Sequence, residues 1–278
     1  MGSIEAALRC GAQAAQIWGS NPRAWAHPNV SDARAAEFRQ AWAEAAIGPL
    51  FLHAPYMVNV ASPNPGFRRR SIDLARATVA LAEAVGAEGV VVHAGAAGAS
   101  TERVRALEVA AASLLMIADD TDTTSVFVEL TAGGLGSVAS TFPQARDLID
   151  AAAGHRALAL CADTCHLFAA GYALDSPEGV KACFAELRRL RLAGRLRVIH
   201  ANDSKFPRGQ RRDSHTHIGE GHIGREGFAA ILAQPSVRRC AVVCETPGRL
   251  EDHARNVARL RELAGLVGRE AGARRSTA

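Results

Sequence analysis

The sequence holds little that would mark a secreted, disulfide-built or membrane-spanning protein. Its start, Met1-Gly2-Ser3-Ile4-Glu5-Ala6-Ala7, lacks the basic region and apolar run of a signal peptide. No apolar stretch reaches the roughly eighteen residues that a transmembrane helix needs, which predicts a soluble protein with no membrane partner. The six cysteines, Cys10, Cys161, Cys165, Cys183, Cys240 and Cys244, form no CxxC pair. They read as buried, reduced thiols of a cytoplasmic protein rather than as a disulfide framework. Strong charge is lacking as well: a net charge of +4 permits a nucleic-acid partner without demanding one. No linker or low-complexity segment interrupts residues 1–266, which predicts one domain, and the basic, small residues 267–278 read as a disordered tail.

What is present is periodic. Six short apolar runs each lead into a residue able to bind a metal. Pro49-Leu50-Phe51-Leu52 leads into His53, Gly89-Val90-Val91-Val92 into His93, and Ser125-Val126-Phe127-Val128 into Glu129. Ala157 to Ala162 leads into Asp163, Leu196-Arg197-Val198-Ile199 into His200, and Cys240 to Cys244 into Glu245. Runs so short, β-branched and apolar predict strands buried on both faces, as in a parallel sheet. Between them, Arg70 to Val85, Thr101 to Ala118, Ser140 to Ala152, Pro177 to Ala193, Arg225 to Ala233 and Leu250 to Leu266 carry helical composition and spacing. A further strand, Ala14 to Trp18, precedes the series and is followed by a helix from about Ser31 to Ala46.

Repeated strand–helix units build either an open doubly wound sheet or a closed barrel. An open sheet gathers functional residues at its switch point, whereas a barrel points every strand end at one mouth. Six consecutive strand ends bearing ligand-type residues fit the barrel, so the prediction is an α/β, TIM-type (β/α) barrel. It is short by its first strand, because the chain opens in a helix-like segment, Ile4 to Ala12. Either the barrel is open at that position or the strand lies upstream of Met1; the second is the expectation.

Two further motifs add ligands. Asp163-Thr164-Cys165-His166 places a carboxylate and an imidazole three residues apart, on one side if the chain turns helical there. Asp213-Ser214-His215 has donors at i and i+2, which an extended loop aims one way. The full set is His53, His93, Glu129, Asp163, His166, His200, Asp213, His215 and Glu245. Imidazoles and carboxylates without cysteine suit zinc or manganese, and two or three ions rather than one. A lone histidine after a strand is more often a packing residue, and a lone carboxylate a helix cap. Convergence of several on one buried rim is what argues for metal, because unpaired buried charges are costly. His27, His155, His217, His222 and His253 read as ordinary surface residues, and Cys165 as packing.

Four segments also resemble a known family: His53-Ala54-Pro55-Tyr56 through Pro63, Asp163-Thr164-Cys165-His166 through Gly171, His200-Ala201-Asn202-Asp203-Ser204-Lys205, and Asp213-Ser214-His215 through Gly224. Together they are similar to endonuclease IV, a zinc-dependent family of abasic-site endonucleases, over about Gly2 to Leu263. The resemblance implies three zinc ions, with manganese as a substitute. Glu129 would bridge two of them, His53 and His93 completing the first and Asp163, His200 and Glu245 the second. His166, Asp213 and His215 would hold the third. Glu129 and Glu245 are the expected catalytic carboxylates of a trinuclear hydrolysis 5′ of an abasic site in double-stranded DNA, leaving a 3′-hydroxyl.

By the same resemblance, Arg23 in Asn21-Pro22-Arg23-Ala24-Trp25 would probe the lesion, and Tyr56 would line the pocket of the flipped-out nucleotide. Trp25 and Tyr56 could equally be rim packing. Lys205, Arg208, Arg211 and Arg212 cluster between two ligand motifs, where pairing with phosphates is expected; Arg68, Arg69 and Arg70 form a second cluster that also fits a solvated face. Family members usually carry Asp-Arg-His where this chain has Asp213-Ser214-His215, so the ligands are kept but an Arg contact nearby is lost unless Arg211 or Arg212 replaces it. The protein is expected to be a monomer. Two rivals remain: a sugar isomerase or epimerase on the same barrel with one or two metals, and a non-catalytic homologue.

Overall fold

The computed structural model describes residues 2–275 except 120 and 122, with side chains described as far as residue 265. Helix α1 (Gly2–Arg9) leads to strand β1 (Ala15–Trp18), α2 (Asp32–Glu44), β2 (Leu50–His53), α3 (Pro65–Val85) and β3 (Gly89–His93). There follow α4 (Arg103–Ala118), β4 (Ser125–Glu129), α5 (Phe142–Ala151), β5 (Leu158–Asp163), the short α6 (Thr164–Ala170) and α7 (Pro177–Arg189). The chain ends with β6 (Leu196–His200), a two-residue hairpin pair β7 (Asp203–Ser204) and β8 (His215–Thr216), α8 (Gly224–Leu232), β9 (Ala241–Val243) and α9 (Leu250–Arg275). No helix among the described residues is long and apolar enough to cross a membrane.

Seven strands, all parallel, hydrogen-bond in chain order β1-β2-β3-β4-β5-β6-β9. This is a nearly closed TIM-type barrel with helices outside. Among the described residues no strand precedes α1, and β1 and β9 share no ladder. They face each other across a cavity of about 840 Å³ whose walls include Ala6 and Ala7 of α1, Cys10 just after it, Ile17 of β1, Val242 of β9 and Leu260 of α9.

The alternation of strand side chains positions the site. Phe51, Val91, Phe127, Cys161, Val198 and Val243 form a separate buried cluster that fills the barrel interior. Each stands two residues before His53, His93, Glu129, Asp163, His200 or Glu245, so the period of two turns those six residues inward above that layer. Leu52, Val92, Val128, Ala162 and Ile199, one position away, belong to the larger core under the helices. Pairing keeps neighbours level: Trp18 lies opposite His53, His93 opposite Glu129, and Asp163 opposite His200. A bulge between β5 and β6 leaves Arg197 unpaired and restores that last register.

Helix bounds differ from the sequence expectation where caps decide them. α3 starts five residues before Arg70, because Asn64 accepts the Phe67 N–H and Pro65 occupies the first helical turn. α4 and α5 each start two residues later than expected, and α5 is capped by Thr141. α9 stays helical to Arg275, beyond the bound drawn at Leu266 and into the tail expected to be disordered; residues 276–278 of that tail lie outside the described residues. All six cysteines are free; Cys161, Cys165 and Cys183 are buried, while Cys10, Cys240 and Cys244 are half-buried.

Candidate metal centre at the barrel mouth

The nine predicted ligands meet at the carboxyl ends of the strands. Their donor atoms form three groups, each spanning no more than 4.8 Å: His53, His93 and Glu129; Glu129, Asp163, His200 and Glu245; His166, Asp213 and His215. Glu129 is fully buried at the end of β4. Its Oε2 lies 3.1 Å from His53 Nε2 and 3.2 Å from His93 Nε2, and its Oε1 lies 3.1 Å from His200 Nδ1 and 3.3 Å from His166 Nδ1. The two oxygens of one carboxylate thus face two different groups.

Local folding aims the others. The chain does turn helical after β5: Asp163 caps α6, its Oδ1 accepting the His166 N–H at 3.0 Å, which leaves Oδ2 free to face the mouth. That Oδ2 accepts from Asn202 Nδ2 and lies 3.5 Å from His215 Nε2. His215 opens β8, which pairs antiparallel with β7 and so holds Asp213 and His215 over the centre. Asp213 Oδ1 is 3.0 Å from His215 Nε2, and Asp213 Oδ2 is 3.2 Å from His166 Nε2. Glu245 follows β9, its Oε2 3.1 Å from His200 Nδ1.

Electrostatics tie these groups together. Burial works against ionisation of Glu129, but the His200 and His93 charges and hydrogen bonds from His166 and His200 outweigh it and hold its carboxyl well below the usual range. Burial likewise opposes protonation of His166 and His200, yet Asp163 and Asp213 around the first, and Cys161, Glu245 and Glu129 around the second, raise both well above normal. His215 rises to about 9 against its own burial, through Asp163 and Asp213. Glu245 falls to about 2 because His200 overcomes burial.

The donor set fits divalent cations. His166 Nε2 and His215 Nε2 are buried yet have no hydrogen-bond partner of acceptable geometry, although both point at Asp213. Buried polar nitrogens are seldom left orphaned, and a cation among them would satisfy both at once. Cys161 and Cys165 lie close enough to join the ligand groups. Burial pushes their thiols up to about 12 and about 11, which keeps both protonated at neutral pH and favours the nitrogen and oxygen donors.

Three residues that sequence reasoning left without a role also serve the centre. Asn202 is fully buried and, besides holding Asp163, accepts the Glu245 N–H at 2.8 Å. Asp203 accepts the N–H groups of Gly219, Gly221, Ile223 and Gly224 and so shapes the loop after β8; a Cβ at Gly221 would collide with Asp203 and the Ser204 carbonyl. Both lie inside the His200–Lys205 segment, whose resemblance to the family was the signal that could have found them. Gln16 of β1 bonds both His200 and Glu245, and its only mark in the sequence is an amide in an otherwise apolar strand.

The residues expected to meet DNA are brought to the same rim but are less fixed. Tyr56 is 57% exposed and packs 4.8 Å from Trp18, with its N–H donated to the Pro22 carbonyl, so the Asn21–Trp25 loop and Tyr56 are tied together. Arg23 is exposed, its N–H bonded to Asn21 Oδ1. Trp25 turns away into an edge contact with Phe67, with the Arg70 guanidinium 4.6 Å above its ring, so it serves as packing. Lys205, Arg208, Arg211 and Arg212 are exposed; Arg208 pairs with Asp175 at 3.5 Å and Arg212 lies over Phe206 at 4.3 Å. Arg68 donates to the Ser62 carbonyl. His155 pairs with Asp119, and His217 accepts from Asn256; neither belongs to the ligand groups.

A near-closed parallel barrel with its polar groups at the strand ends defines a class, and residues 4–263 match the family described as xylose isomerase-like TIM barrel. The chain is 38% identical to a protein of Streptomyces coelicolor named probable endonuclease 4, over 91% of this chain and 86% of that one. The crystal structure of endonuclease IV from Thermus thermophilus superposes with a TM-score of 0.83 at 30% identity, covering 94% of this chain and 93% of that one. The chain belongs to the endonuclease IV family. A D-tagatose 3-epimerase-like protein also superposes, with a TM-score of 0.74 over 93% of this chain and 91% of that one, but at 19% identity this shows the fold alone.

Proposed function

We propose that the chain is a DNA-repair endonuclease that hydrolyses the phosphodiester bond 5′ of abasic sites in duplex DNA, within a single domain spanning residues 1–266, and leaves a 3′-hydroxyl. Three zinc ions are the proposed cofactors, manganese being the nearest substitute. His53 and His93 would hold one with Glu129; Asp163, His200 and Glu245 a second, again with Glu129; His166, Asp213 and His215 a third. When bound, such ions supply Lewis acidity, making water a stronger acid and neutralising charge on phosphoryl oxygens.

The chain's own residues account for the rest. Glu129, ionised by its surroundings, presents one oxygen to each of two groups. Glu245 is likewise a carboxylate at neutral pH. Asp213 is the most open of the proposed ligands, with 54% of its side chain exposed, and so stands where substrate would enter. Tyr56 and Trp18 would form an apolar wall beside His53 for the flipped-out sugar. Arg23, Lys205, Arg208, Arg211 and Arg212 would neutralise phosphates on either side.

The observation that carries this reading is the convergence of the third group, His166, Asp213 and His215, on two orphaned nitrogens. A one- or two-metal sugar isomerase has no use for it. The test pairs zinc analysis with a nicking assay on duplex DNA carrying a single abasic site. Three zincs and incision 5′ of the lesion support the proposal. One or two metals with ketose or aldose turnover would favour an isomerase, and neither activity a non-catalytic homologue.

A further inference from the structure

A ligand histidine must be told which nitrogen to offer, and its other nitrogen settles that. In three of the ring imidazoles the outer nitrogen meets a backbone carbonyl: His53 Nδ1 at Ala54 O (2.6 Å), His166 Nδ1 at Leu130 O (2.9 Å) and His215 Nδ1 at Glu245 O (3.2 Å). A carbonyl can only accept, so each of these rings donates from Nδ1 and has Nε2 to offer to a metal once that nitrogen gives up its proton. His200 is arranged the other way round. Its Nδ1 faces Glu129 Oε1 and Glu245 Oε2, each at 3.1 Å, and its Nε2 meets a side chain, Gln16 Oε1, at 2.9 Å.

The orientation of the Gln16 amide follows from chemistry. Its Nε2 lies 2.7 Å from Glu245 Oε1, and an ionised carboxylate can only accept, so the amide nitrogen belongs there and the amide oxygen at His200. Gln16 pairs with Phe51 across the β1–β2 ladder, so it belongs to the inward layer beneath the ligands and reaches up to His200 from below. It also spans the place where β1 and β9 have no ladder between them.

We propose that Gln16 is a positioning residue of the metal centre: its amide oxygen accepts the His200 Nε2–H and so directs the Nδ1 lone pair inward, while its amide nitrogen holds Glu245 on the same side. This rests on the metal reading above. In place of a backbone carbonyl, a side chain fixes His200, so this orientation is one that a single substitution can release.

The test is zinc binding by chelator competition in wild type, Gln16→Met and Gln16→Glu, with melting of the metal-free proteins measured in parallel. Methionine keeps length and removes the acceptor; its variant is expected to hold one of the ions roughly 10–100-fold more weakly, with the other ions unchanged. Glutamate restores an acceptor under His200 and is expected to recover most of that affinity. Wild-type affinity for every ion in Gln16→Met would overturn the proposal, as would equal weakness in both variants. A lowered melting temperature in both with zinc binding intact would make Gln16 a structural clasp only, and also overturn it. Failure of the wild type itself to bind zinc would sink the metal reading, and this proposal with it.

Discussion

Glu129 and Lys205 belong to the same rim and show opposite ways of placing a charge. Glu129 is fully buried and lies within 3.3 Å of four imidazoles from β2, β3, α6 and β6. Lys205 is exposed, and its fixed contact is a backbone bond to Ser214. A charge withdrawn from water must be met by partners of matching chemistry, so the ring is over-determined by many elements. A charge left in water needs none, and the basic loop takes its order from the backbone.

The largest expected effect comes from breaking the ring at its centre. Glu129→Ala should cost two ion positions a shared ligand and lower nicking by at least about 10²–10³-fold, the scale seen when one key charge-stabilising group is lost. Zinc analysis alongside the nicking rate checks both; turnover near wild type would refute the bridge. The next effect is protonic. His215 is raised to about 9, so at pH 7 it carries a proton that a metal must displace. Zinc affinity at the group of His166, Asp213 and His215 should therefore rise with pH, about tenfold per unit for each proton displaced, with the His215 share of that rise lost above about 9. Calorimetry in buffers of different ionisation enthalpy should show proton release on zinc binding at pH 7 that shrinks by about pH 9.5. Absence of release at pH 7 would contradict the assignment.

The basic loop should respond more mildly. Lys205→Ala is expected to weaken DNA binding several-fold at low salt, to reduce the slope of log affinity against log salt by about 0.9, and to leave zinc content untouched. A change in zinc content would mean that loop and ring are not independent. Smallest of all is Arg70→Ala. With its guanidinium over Trp25, the loss should appear as about 0.5–1 kcal/mol of stability in denaturant unfolding, with DNA binding unchanged. A binding defect without a stability change would move Arg70 from packing to the DNA-facing surface.

The same contrast explains what could be read from the sequence. Every barrel strand was legible to within about two residues, because strands buried on both faces must be apolar throughout, and a polar residue at the end of such a run stands out. Asp163, Glu129 and His200 were visible for that reason. The start of α3 was not, since Asn64 and Pro65 lie in a polar stretch that reads as loop until its cap is seen. Gln16 was hidden because one amide in a strand has no pattern to belong to; only the arrival of His200 and Glu245 from 184 and 229 residues away gives it a role. For Trp25 and Tyr56 the sequence left recognition and packing open. The fold puts Trp25 against Phe67 and leaves Tyr56 more than half exposed at the mouth.

Anomalous diffraction at the zinc absorption edge from crystals of the zinc-loaded protein reaches the central claim most directly. The account predicts three peaks at the barrel mouth, two of them sharing Glu129 and the third among His166, Asp213 and His215, with ligand distances of about 2.0–2.2 Å. A single peak, or peaks that leave Glu129 without an ion, would contradict it.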